Sequence, residues 1–159
     1  MSARKPTALD VAAFFLSACD EYTAGDLISN LKMQKLVYYA QGFHLALTGE
    51  RLFDEPIEAW QYGPVVYSLY DAFREFGNGA LDLSKLKGYD IDIFSDEQKE
   101  LLKDVYTEYG QYSAWALKNM THSELPWKAT TNDGNTIGLR QQISDKLLKQ
   151  YFKDQLVKS

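Results

Sequence analysis

The chain has 159 residues, one cysteine, and 17 basic against 22 acidic side chains, for a net charge of −5. One cysteine excludes an intrachain disulfide and a cysteine metal cluster, and Cys19 reads as a small buried apolar side chain. The only basic groupings are the Arg4-Lys5 pair and the scattered lysines near the C-terminus, which disfavours direct nucleic-acid binding, a function that normally shows a basic patch.

No apolar run approaches the ~18 residues of a membrane span, and the N-terminus has no apolar core of signal-peptide type. A soluble, cytoplasmic protein with no membrane partner is expected. A hydrophobic fraction of 45% and an aromatic fraction of 14% suit an ordered protein, and the length suits one domain over residues 1–159. Its core is expected over about 8–156, with 1–6 and 157–159 flexible. The fold class is mainly α, a compact bundle of five to six helices around a central buried helix, with a short two- or three-stranded β element.

In chain order, Pro6-Thr7 followed by Asp10 resembles a helix cap, so a first helix runs from Ala8 to about Asp20 and buries Leu9, Ala12, Ala13, Leu16 and Cys19. A link from Tyr22 to Ile28 contains Gly25 and Asp26. Ser29 or Asn30 then caps the helix around which the rest is organised, Asn30 to Thr48. At about 100° per residue its wheel gathers Met33, Leu36, Val37, Ala40, Phe43 and Leu47 on one face, and Leu31, Tyr38 and Leu45 on a second stripe. Lys32 and Lys35 lie on the far side with Tyr39 and Ala46. A helix apolar over so much of its circumference is covered by neighbours on several sides. Gly42, which costs about 1 kcal/mol relative to Ala at mid-helix, suggests a close crossing there. Gln34, Gln41 and Thr48 form a narrow polar strip, compatible with a wetted internal seam or with a contact surface. Gly49 supplies a left-handed stop.

Alternation over Ile57 to Tyr62 predicts a short strand after Pro56. Gly63-Pro64 is read as a turn into a third helix, with Pro64 in its first turn and Val66, Leu69, Tyr70 and Phe73 buried. That helix stops at Gly77-Asn78-Gly79. Residues 80–94 read as a long connection pinned by Leu81, Leu83, Leu86 and Ile93. Ser95 and Gln98 form a capping box for a fourth helix that runs to Tyr109 and stops at Gly110. Ser113 restarts a short helix, which gives way to a loop over Thr121 to Trp127. A polar, mobile stretch follows over 128–138. Ile137, Leu139, Gln141 and Ile143 alternate weakly and are candidates to pair with the Ile57 strand. Ser144 caps a last helix that buries Leu147, Leu148, Tyr151, Phe152 and Leu156.

Chemistry is sparse. Two histidines, neither within reach of another, do not make a metal site, and no metal or cofactor is expected. His44 borders the apolar face of the central helix and reads as structural. His122 beside Glu124 is a conceivable acid–base pair, but a backbone-bonded His122 with Trp127 plugging the core is the plainer reading. There is no nucleophile elbow, phosphate-cradling loop or kinase set. Trp60, Tyr62, Tyr67, Tyr112 and Trp115 are the aromatics suited to anchor an interface, although large aromatics are more often core.

Three blocks taken together, Leu31-Lys32-Met33-Gln34-Lys35-Leu36-Val37-Tyr38-Tyr39-Ala40-Gln41-Gly42, Ile57 to Val66 and Thr121 to Trp127, resemble the SocA-like Panacea domain family, also called the GepA or phage-associated protein family. The resemblance implies an antitoxin, often prophage-borne, whose partner is a toxin protein encoded by an adjacent gene. One member also delivers its toxin to the ClpXP protease, so a ClpXP-type protease is a second implied partner. The family brings no catalytic residues, and its motif positions Leu36, Ala40, Gly63, Pro64, His122 and Trp127 are implied to maintain the scaffold. Candidate toxin contacts on this chain are Gln34, Tyr38, Gln41, Trp60, Tyr62 and Tyr67. The acidic net charge would complement a basic toxin. A small enzyme using His122 and Glu124 is the competing reading.

Overall fold

The computed structural model describes residues 4–22 and 28–158. Apart from its two ends, the predicted Tyr22–Ile28 link lies outside them, as do residues 1–3 and 159 of the ends expected to be flexible. The order is α1 (Ala8–Tyr22), α2 (Asn30–Thr48), β1 (Glu58–Trp60), β2 (Gly63–Val65), α3 (Tyr67–Phe73), α4 (Asp96–Tyr109), α5 (Ala114–His122), α6 (Leu125–Thr130) and α7 (Asp145–Lys158). The fold is mainly helical with a small antiparallel sheet.

Polar side chains set the helix starts, because the first turn leaves backbone N–H groups without helical partners. The Thr7 amide donates to Asp10 Oδ2 at 2.8 Å, and the Asp10 amide donates back to Thr7 Oγ1 at 3.3 Å. Asp10 is fully buried, and it also accepts the Arg4 guanidinium at 2.6 and 2.8 Å and the Asp90 amide at 2.7 Å. Burial raises its pKa, yet these bonds outweigh burial and hold the carboxylate at about 2. Arg4 and Lys5, placed outside the core by the sequence, are therefore tied to Asp10 and Asp54. Ser29, not Asn30, caps α2 through Lys32 N, and Gly49 ends it at φ 79°. The Ser95–Gln98 box starts α4 with both reciprocal bonds made.

Helix α2 is the hub, packed against α1, α3, α4, α5, α7 and β2. Its apolar face is buried at Met33, Leu36, Val37 and Ala40, but Leu47, the last residue but one, is 58% exposed. Helix α7 crosses at Gly42, where an added Cβ would overlap the Phe152 ring. That ring is fully buried and meets Tyr38, Tyr39 and Phe43 edge-on, with centroids 5.5, 6.0 and 4.8 Å away.

Two segments depart from the sequence reading. Pro64 is not in the first turn of a helix: it lies in β2 opposite Ala59, and α3 begins at Tyr67. The outer edge of β2 faces the hub, where Lys35 Nζ donates to Pro64 O at 3.1 Å and Val66 N donates to Gln34 Oε1 at 2.9 Å. Proline has no N–H to leave unpaired on such an edge. The predicted loop over Thr121 to Trp127 is instead the end of α5, a kink at Ser123-Glu124, and α6 with Pro126 in its first turn. The strand expected after the polar stretch forms only in part. Ala59 N donates to Gln141 O and Ile143 N to Ile57 O, each at 2.8 Å, so 141–143 flanks β1 on the side away from β2. Ile137–Leu139 winds into a 3-10 turn and stays out of the sheet.

Candidate partner-binding surface

The β1–β2 hairpin sets the geometry of this surface. Trp60 pairs with Gly63 across the two-residue turn Gln61-Tyr62. Gly63 has φ 114°, and a Cβ there would press on Thr121 Oγ1 and the Lys35 side chain at 2.7 and 2.8 Å. Only glycine meets both the conformation and the closeness. The hairpin is thereby pinned to α2 and α5, with its tip outward.

Around the tip, Tyr62 is 51% and Tyr67 41% exposed, and Trp60 is half-buried beneath them. Trp60 packs edge-on against Tyr70 at 4.9 Å and lies 6.1 Å from Tyr67. Its Nε1 donates to Glu58 Oε1 at 2.8 Å, and its carbonyl accepts Trp127 Nε1 at 2.7 Å. Arg140 crosses the pair, its guanidinium carbon 4.8 Å from the Trp60 ring and 4.6 Å from the Tyr67 ring. Below the turn the His122 ring stacks on Trp127 at 4.1 Å and is hydrogen-bonded to the Gln61 backbone. Burial, with Lys118 nearby, lowers the His122 pKa, and its buried Nε2 has no hydrogen-bond partner among the described residues. Two turns earlier on α5, Trp115 is 60% exposed with Lys118 Nζ 3.6 Å above its ring.

The other three candidate contacts are inside the protein. Gln34 and Gln41 are each 2% exposed and Tyr38 is fully buried. Gln34 accepts Val66 N and donates to Asn30 Oδ1 at 3.0 Å. Gln41 accepts Leu52 N at 2.7 Å and donates to Phe53 O at 2.7 Å. The polar strip is thus an internal seam, in which two amides satisfy the backbone of the segments that cover α2. Thr48, at its end, is exposed. Of the motif positions, Leu36 and Ala40 are fully buried and Gly63 and Pro64 are buried in β2.

His122 and Glu124 do not face each other as an acid–base pair. The Glu124 carboxylate turns into the core and accepts Tyr38 OH at 2.9 Å and Tyr39 OH at 2.8 Å, with Tyr151 as a third donor. Burial pushes its pKa up to about 7 against these bonds. Burial, reinforced by Glu124, raises the hydroxyls of Tyr38, Tyr39, Tyr109 and Tyr151 above their ordinary value. Lys35, also fully buried, has its amine pushed down to about 7 by burial. His44 bonds the Glu50 carbonyl through Nδ1 at 2.7 Å. Sequence reasoning missed the tyrosine-ringed Glu124, the buried Lys35 and the stacked Arg140. The one sequence signal was the Tyr38-Tyr39 pair in mid-helix, where consecutive side chains diverge by about 100° and burial of both requires cover over a wide arc of the helix. Among the described residues no cluster of three or more His, Cys, Asp or Glu is placed to hold a metal, and no helix is long and apolar enough to cross a membrane.

The family model of the antitoxin SocA-like Panacea domain matches residues 33–128, more than half of the chain. The chain belongs to that family. Over 163 aligned positions the Panacea-domain chain is 32% identical to Antitoxin SocA of Caulobacter vibrioides (strain NA1000 / CB15N), covering 96% of this chain and 87% of the relative. No solved structure gives a significant match. The matched segment runs from the hub helix to the start of α6 and contains the hairpin, Tyr67, Trp115 and the His122–Trp127 stack. Arg140 and Tyr151 lie beyond it.

Proposed function

We propose that this Panacea-domain protein neutralises a cognate toxin protein by binding it directly, through the surface formed by Trp60, Tyr62 and Tyr67. The observation that supports this is the exposure of Tyr62 at the tip of a hairpin locked to the hub at Gly63, with Tyr67 exposed beside it at the start of α3. Aromatic anchors held rigidly lose little conformational entropy on binding and dominate interface energies. A specific complex needs roughly 1,200–2,000 Å² of total buried surface, so the toxin footprint extends beyond the tip, and exposed Trp115 on α5, the helix against which β2 packs, is a candidate continuation.

The test is co-expression with the product of each adjacent gene. Neutralisation by contact expects growth arrest by one neighbour alone, rescue by this chain, and a co-purifying complex that Tyr62→Ala together with Tyr67→Ala disrupts without loss of fold. Absence of rescue and of a complex with either neighbour would sink the proposal. Rescue that needs a ClpXP-type protease and shortens the toxin's half-life would assign the narrower role of delivery adaptor.

A further inference from the structure

We infer that Arg140 is a preformed receptor for a carboxylate of the toxin, so that the partner segment seated on this surface is apolar and acidic. The inference rests on the toxin-binding reading above.

Arg140 is held on three sides. Its Nε donates to Glu58 Oε1 at 3.0 Å, and its guanidinium plane lies over the rings of Trp60 and Tyr67. Glu58 is itself fixed by Trp60 Nε1. A guanidinium carries five N–H donors in a planar fork. Nε supplies one of them, and among the described residues the two terminal nitrogens make no hydrogen bond. The side chain keeps 49% of its surface exposed. The outward edge of the fork is therefore fixed, wet and unpaired. A second cation, Lys118, lies over Trp115 on α5 and makes no ion pair among the described residues. Although the chain carries a net charge of −5, Arg140 is paired with Glu58 through Nε, and among the described residues its two terminal nitrogens keep unused donors. N–H donors take only acceptors, so the unused edge of the fork suits a carboxylate although the chain as a whole is acidic.

The partner chemistry follows from the fork. A carboxylate accepts two parallel N–H bonds from a guanidinium, and such charge-assisted pairs are roughly twice as strong as neutral ones. Side-chain entropy normally discounts an exposed arginine pair. Here the ring contacts and Glu58 have already restricted the side chain, so less freedom is lost on binding. Apolar groups beside the carboxylate would cover Tyr62 and Tyr67, completing a dry centre around the charge pair.

The experiment measures binding of the purified chain to the growth-arresting product of its neighbouring gene, with Arg140→Gln, Arg140→Lys and Arg140→Glu beside the parent chain. The expected loss of affinity is roughly tenfold or more for Arg140→Gln, less for Arg140→Lys, which keeps the charge but not the fork, and greatest for Arg140→Glu. The parent affinity should fall with salt more steeply than that of Arg140→Gln. Unchanged circular dichroism and melting temperature show that the variants are folded. In the decisive arm, an Asp or Glu of the toxin replaced by Arg restores binding to Arg140→Glu. If the parent chain binds while all three variants match it, or no such toxin substitution restores binding, the receptor role is overturned and the toxin-binding reading stands. If the parent chain itself binds no neighbour product, both fall together.

Discussion

Glutamate 124 offers the most demanding check on the core. Its pKa rises from 4.5 in the unfolded chain to about 7 in the fold, because burial disfavours the carboxylate more than the tyrosine hydroxyls favour it. A raised folded pKa means that the native state binds a proton more tightly than the unfolded one, so stability falls as pH rises between the two values. The contribution is fully present below about pH 4.5 and is lost by about pH 7. At 1.36 kcal/mol per pKa unit, the difference of roughly 2.5 units corresponds to about 3 kcal/mol across that window. Glu124→Gln keeps an oxygen to accept from Tyr38 or Tyr39 and cannot ionise. The assay is urea unfolding at half-unit steps from pH 4.5 to 7.5, following circular dichroism and comparing the two proteins. The parent should lose stability toward neutral pH by about 3 kcal/mol more than Glu124→Gln, since every other titration is common to both. Parallel curves would show that Glu124 is ionised in the fold at ordinary pH and would refute the account of burial outweighing the tyrosines.

Lys35 behaves in the opposite sense. Its folded pKa is lowered to about 7 from 10.5, so its contribution is fully present above about pH 10.5 and disappears as pH falls through about 7. Lys35→Met should therefore flatten the rise in melting temperature between pH 7 and 10 that the parent shows. Gly42→Ala forces a methyl group into the Phe152 ring and should cost at least the 1–3 kcal/mol typical of overpacking, roughly. Denaturant midpoints measure that loss, and the double change with Phe152→Leu should recover part of it. Gln34→Glu and Gln41→Glu each place a charge in the seam and remove a donated hydrogen bond. Each should destabilise the fold by roughly 2–4 kcal/mol. Either variant melting like the parent would return its position to the list of surface contacts.

The parts of the fold legible in the sequence are those decided by neighbours along the chain. Ser29 and Gly49 bound the hub, Ser95 and Gln98 close a box, and glycine at position 42 betrays a crossing, all through local geometry. What escaped was decided by distant residues. The Gln34–Gln41 strip has the same appearance whether water or backbone covers it, and the groups that cover it belong to Leu52, Phe53 and Val66. Gly63-Pro64 suits a helix start as well as a strand edge, and the edge is selected by Lys35 and Gln34 from the hub. Of the candidate site, the aromatics at Trp60, Tyr62 and Tyr67 were visible because large side chains cluster there in sequence. Arg140 was not, being brought onto Trp60 and Tyr67 from more than seventy residues away by the pairing of 141–143 with β1.

The crossing of α7 over Gly42 also orders events during synthesis. Helix α2 is complete by Thr48, yet the ring that fills the space above Gly42 belongs to Phe152. A ribosome adding roughly 5–20 residues per second leaves the hub's Tyr38 and Tyr39 without the Phe152 ring for several seconds. The space above Gly42 is filled only when the last helix docks. A nascent chain stalled before Phe152 would present its central helix to chaperones and proteases.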